Sequence, residues 1–108
     1  MTAVSFNEQF PSDIHERLKN KDRMIILDVR EQEEWESGHI PNAKHIPLNE
    51  LPERLQELDR QTETVVVCRS GGRSSKACEF LAAQGYNVTN MNGGMNKWYG
   101  EVETGKST

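Results

Sequence analysis

The chain reads as an α/β domain in three layers, a central, mostly parallel β-sheet flanked by helices. Three observations predict this. Strand-type and helix-type segments alternate through most of the chain, the pattern that lays helices over both faces of a parallel sheet. Two short runs, Met24-Ile25-Ile26-Leu27-Asp28-Val29 and Thr64-Val65-Val66-Val67, are almost unbroken apolar stretches of strand length, as strands buried on both faces require. The segments between them open on capping residues and close on glycine or proline, which are helix and strand punctuation.

Taken in order, residues 4–6 are a short first strand. Pro11-Ser12-Asp13 opens a helix that Ser12 or Asp13 can cap, with Ile14 and Leu18 four apart on one face. The positive charge over residues 19–23 suits its C-terminal end. After the strand at 24–29, residues 31–37 form a short acidic helix stopped by Gly38. Residues 43–46 are another short strand, ended by Pro47. Asn49 caps a helix on which Leu51, Leu55 and Leu58 share a face. The strand at 64–67 delivers Cys68, Gly71-Gly72 makes a turn, and residues 73–84 are a helix carrying Ala77, Cys78, Leu81 and Ala82 inward. Gly85 ends it, residues 86–91 are the last strand, and Gly93-Gly94 leads into a short helix around 95–98. Residues 1–100 are thus read as a single domain and 101–108 as a polar, flexible tail.

The chain has 108 residues, 17 acidic against 13 basic, for a net charge of -4. No basic footprint for nucleic acid is present, and no run approaches the roughly 20 apolar residues that span a membrane. The first residues lack a charged-then-apolar leader, so a cytoplasmic, monomeric protein is expected. Two cysteines, Cys68 and Cys78, are too few for a disulfide framework. Their spacing to His15, His39 and His45 does not resemble a zinc cluster, so no metal is expected.

The chemistry concentrates in Cys68-Arg69-Ser70-Gly71-Gly72-Arg73-Ser74. A buried strand hands a cysteine to a tight glycine turn, and a helix begins at once. Curled backbone amides and a helix N-terminus make an anion nest, and its natural guest is the Cys68 sulfur. A free thiol titrates near ~8.5 and is mostly protonated at neutral pH. Amide dipoles, the Arg69 and Arg73 guanidiniums and the Ser70 and Ser74 hydroxyls favour the thiolate, the reactive form. A lone cysteine after a valine run is ordinarily core packing, and that is the reading of Cys78. At Cys68 the arginines, glycines and following helix point to a nucleophile instead.

Three stretches together resemble the rhodanese-like family of sulfurtransferases, in its single-domain form. They are Leu27-Asp28-Val29-Arg30-Glu31 with Glu34-Trp35 and Gly38-His39-Ile40-Pro41-Asn42-Ala43, the Cys68 to Ser74 loop, and Gly93-Gly94-Met95-Asn96-Lys97-Trp98. The resemblance implies that Cys68 attacks the outer sulfur of a small anionic donor such as thiosulfate, holds it as a persulfide, and yields it to a thiophilic acceptor. That acceptor is cyanide in the test tube and a protein or low-molecular-weight thiol in the cell. No cofactor is implied. Arg69 to Ser74 then bind donor and persulfide. Asp28 and Arg30 are read as a pair bracing the neighbouring loop, His39 as a structural brace, Trp35 and Trp98 as packing residues, and the glutamates at 31, 33, 34 and 36 as a solvated helix face. The rivals are a cysteine-dependent phosphatase or arsenate reductase, and a non-catalytic binding or regulatory module on the same fold. Four residues separate Cys68 from Arg73, against the five typical of cysteine phosphatases.

Overall fold

The structure, a computed structural model, describes residues 5–105. Strands β1 (Asn7–Gln9), β2 (Ile25–Asp28), β3 (Lys44–His45), β4 (Thr64–Val67) and β5 (Val88–Met91) form one sheet. Its order is β1-β5-β4-β2-β3, and every pairing is parallel. Helices α1 (Pro11–Lys19), α2 (Gln32–Ser37) and α3 (Gly72–Ala83) connect them. The α/β class and the central parallel sheet expected from the sequence are both found.

Successive side chains of a strand face opposite sides, and β4 shows why its run is apolar throughout. Val66 and Cys68 join Leu27, Val29 and the α3 residues Ala77, Cys78 and Leu81 in one cluster. Val65 and Val67 join Ile26, Met91 and the α1 residue Ile14 in the other. Val65, Val66 and Val67 are all fully buried, each stabilising by about 1.5 kcal/mol or more. The central strand is therefore the firmest mount in the molecule, and Cys68 sits at its C-terminal end.

Several elements differ from their sequence expectation. The first strand lies at Asn7–Gln9 rather than 4–6; Val4 falls outside the described residues. In α1 the cap is Phe10, whose N–H donates to the Asp13 carboxylate at 2.9 Å. Pro11 takes the first helical position, where its missing N–H costs nothing, and this shifts the start ahead of Ser12. The helix expected after Asn49 is replaced by two 3₁₀ turns, Leu48–Glu53 and Leu55–Glu57. Pro52 lies inside the first of them and cannot donate to an α-helical ladder. Leu51 and Leu58 are nevertheless buried, so the apolar face survives without the helix. Strand 86–91 begins only at Val88, and Gly94–Lys97 is a 3₁₀ turn. Of the expected tail, residues 101–105 are bonded to the fold. His39 and Glu103 exchange antiparallel backbone bonds of 2.9 and 2.8 Å, and the Gly105 N–H donates to the Glu36 carbonyl at 2.7 Å. Among the described residues no helix is long and apolar enough to cross a membrane.

Candidate active site

Cys68 lies between β4 and α3, and the backbone turns back on itself there. Gly71 caps α3 with φ +111°, a conformation that side chains resist. That turn brings the Gly71 N–H to 3.0 Å from the Cys68 Sγ. The Ser70 and Ser74 amides add to the pull that favours the thiolate. Ser74 Oγ stands 3.3 Å from Sγ, 3.2 Å from the Gly71 carbonyl and 2.5 Å from Oδ1 of the buried Asn90. A Cys68 thiol donates to Ser74, which donates onward to Asn90; a thiolate instead accepts the hydrogen bond of the Ser74 hydroxyl. Burial pushes the Cys68 thiol up, but the Ser74 hydroxyl and the three amides outweigh it, and the net movement is below the ordinary thiol value. The leading donors are thus the loop amides and one hydroxyl. The guanidiniums expected to share this work are absent from them, and Ser70 is exposed and contributes its amide.

The arginines are occupied elsewhere. Arg73 makes a bidentate pair with Glu34 of α2, at 2.7 and 2.8 Å, and Arg69 Nε reaches the same carboxylate at 3.0 Å. Arg73, hydrogen-bonded to Glu34 and helped by Arg69, holds that carboxyl down to about 2, against the opposition of burial. Glu34 also accepts the Glu31 N–H at 2.9 Å, closing the N-terminal end of α2 as a capping box does. It therefore pairs with both loop arginines, whereas the sequence places it on a solvated face. The capping-box position was the available signal; its long-range partners left none.

A second glycine pair holds the loop from behind. The Met95 and Asn96 amides donate to the carbonyls of Cys68 and Arg69 at 2.8 and 2.9 Å. These bonds turn both carbonyls away from the sulfur and leave the loop amides facing it. Gly94, at φ +59°, makes the approach possible. This contact of the Gly93-Gly94 stretch was missed in the sequence, where it reads as the lead into a short helix and as one of the three stretches that resemble the family.

Asp28 and Arg30 meet as a buried, bidentate pair at the end of β2. Arg30 Nε and Nη2 donate to the carboxylate at 2.8 to 3.1 Å, and Nη2 also donates to the Gly38 carbonyl at 2.7 Å. Neither is hydrogen-bonded to Cys68; they tie β2 to the C-terminal end of α2. Trp35, 1% exposed, stacks on His39 at 3.6 Å and on His45 at 4.8 Å. His39 Nδ1 lies 2.7 Å from the Trp35 carbonyl. Trp98 donates from Nε1 to the Glu101 carbonyl. Cys78 is wholly buried against α3's inner neighbours, and burial pushes its thiol up to about 12. Among the described residues, no three His, Cys, Asp or Glu side chains gather as metal ligands.

The Rhodanese-like domain family matches residues 10–101. The Bacillus subtilis protein YtwF is 40% identical over 90 residues, covering 83% of this chain and 87% of its own length. A sulfurtransferase of Allochromatium vinosum is 36% identical over 93 residues, 85% of this chain and 87% of that one. Thiosulfate sulfurtransferase GlpE of Pseudomonas putida is 27% identical over 92 residues, 84% of each chain. The crystal structure of a rhodanese-like domain protein from Staphylococcus aureus superposes with a TM-score of 0.87 at 35% identity, covering 94% of this chain and 100% of that one.

Proposed function

Since the chain belongs to the rhodanese-like sulfurtransferase family, we propose that it moves a sulfane sulfur from a donor such as thiosulfate to a thiophilic acceptor through a persulfide on Cys68. The observation that carries this reading is the Gly71 amide 3.0 Å from the Cys68 sulfur. The nest holds the nucleophile's own atom, in a loop whose carbonyls are pinned outward.

The thiolate attacks the outer sulfur of thiosulfate. A new S–S bond forms to Cys68, the S–S bond of the donor breaks, and its electron pair leaves with sulfite. Reactants and products both carry three negative charges. The loop amides face sulfur throughout, so they need no reorganisation as charge moves to the outer atom. Cyanide or a thiolate then attacks that outer sulfur and returns the Cys68 thiolate, a two-step covalent cycle with ping-pong kinetics. The reaction needs a reduced cysteine, which suits a reducing compartment such as the cytosol. The GlpE likeness supports thiosulfate as the first donor to test.

A phosphatase or arsenate reductase needs its loop arginine turned to the oxyanion. Here Arg73 is bidentate to Glu34 and the sulfur fills the nest. A purely binding module has no use for a thiol held below its ordinary titration range. The test is intact-mass measurement after brief exposure to thiosulfate without reductant. Wild type should gain about 32 Da, reversed by cyanide, and Cys68→Ser should gain nothing. An equal gain in the variant would move the nucleophile elsewhere, and no gain in either would count against thiosulfate as the donor.

A further inference from the structure

Charge on the Cys68 loop and its partner Glu34 is already balanced. A Cys68 thiolate and Glu34 carry two negative charges; Arg69 and Arg73 carry two positive ones. The Glu34 carboxylate takes both Arg73 amino groups, at 2.7 and 2.8 Å, and Arg69 Nε at 3.0 Å. Its side chain is only 15% exposed, while those of Arg73 and Arg69 are 34% and 63% exposed. The acid is therefore set inside the pair of arginines, and Glu31 adds a further negative charge acting on Arg73. A dianion arriving at the loop meets no net positive charge from these four groups and must compete with Glu34 for the Arg73 fork, since Arg69 holds Glu34 through Nε alone. A bidentate carboxylate is a strong competitor for that fork.

We propose that Glu34 is a specificity-determining residue that turns the site away from the dianion thiosulfate and toward persulfide donors, R–S–SH, which carry less charge. The inference rests on the sulfurtransferase reading and names its donor class. The step balances without any further reactant: the Cys68 thiolate bonds to the outer sulfur, the donor's S–S bond breaks, and its electron pair leaves with R–S⁻. The negative charge departs on the donor's own thiol, so no guanidinium need be released from Glu34 to receive it.

The experiment compares wild type with Glu34→Gln, using thiosulfate and 2-hydroxyethyl persulfide as the two donors. The readout is the second-order rate of sulfur addition to Cys68 by quenched intact-mass measurement. Glutamine keeps the capping position of α2, and Glu34→Asp keeps the charge on a shorter arm. In Glu34→Gln the thiosulfate rate should rise about tenfold, the scale of one charge-assisted contact, and should fall again with added salt. The persulfide rate should stay within about twofold, and Glu34→Asp should lie nearer wild type. Sulfur addition from both donors with an unchanged donor ratio in Glu34→Gln would overturn this inference and leave the sulfurtransferase reading intact. No addition from either donor to wild type would overturn both.

Discussion

Gly94 lies against the backbone of Arg69. A β-carbon at Gly94 would stand 2.5 Å from the carbonyl carbon and oxygen of Arg69 and from the carbonyl oxygen of Cys68, and its φ is +59°. Backbone cannot yield as a flexible side chain would. Gly94→Ala should therefore push the loop forward, break the Met95 and Asn96 anchors, and turn amides away from the sulfur. The expected cost is at least about 2 kcal/mol of stability, read by urea denaturation, with sulfur addition to Cys68 falling by about tenfold or more. A variant as stable and as active as wild type would show that the second glycine pair does not shape the nest.

Among the described residues, Ser74 is the one side chain hydrogen-bonded to the Cys68 sulfur. Removing it in Ser74→Ala leaves the opposing burial in place, so the Cys68 titration should move upward. Thiolate absorbance against pH reads this directly. Sulfur addition from thiosulfate should rise with pH through a midpoint below the ordinary thiol value in wild type. In the variant the midpoint should be higher, and the rate at neutral pH about tenfold lower. An unmoved midpoint would assign the whole effect to the amides.

What the sequence made legible was local. The valine run of β4, the cysteine at its end and the glycine turn that follows are contiguous, and their chemistry could be read without a fold. Alternating segments likewise announced a parallel sheet. What stayed hidden joins distant residues. Glu34 meets Arg69 and Arg73 across 35 and 39 positions, so on the page it is one acid among four. Asn90 and Gly94 act on the loop from β5 and beyond it, and nothing beside them marks that contact. The leucines at 51, 55 and 58 misled for the opposite reason. Their spacing is helical, but Pro52 denies the backbone an α-helix and two 3₁₀ turns bury the face instead.

Glu34 also predicts how stability depends on acid. Its carboxyl is held to about 2, chiefly by the Arg73 hydrogen bond, against an ordinary value of 4.5. A carboxyl held low in the folded state stabilises fully above its unfolded value, and that stability is lost as pH falls through the folded one. The Glu34 contribution should hold above pH 4.5 and disappear between about 4.5 and 2. Glu57, also held to about 2 through Arg54 and Lys44, titrates in the same window, so the comparison must be between wild type and Glu34→Gln. The variant should lose stability at pH 7, and the gap should close by pH 2. A gap of constant size would mean that the ion pair contributes nothing.

Cys78 supplies the control for all of these. It sits on the inner face of α3, fully buried among apolar residues, with its thiol pushed up to about 12 by burial first, then by the charges of Glu8 and Cys68. A thiol so protonated is a poor nucleophile, and a resolving role would need it exposed. Cys78→Ala removes one buried sulfur and should cost about 1–2 kcal/mol of stability through the small cavity left behind. Sulfur addition to Cys68 and its transfer to cyanide should stay within about twofold of wild type, since Cys78 makes no hydrogen bond to the loop. A variant that accepts sulfur but no longer releases it, at undiminished stability, would instead assign Cys78 a part in transfer.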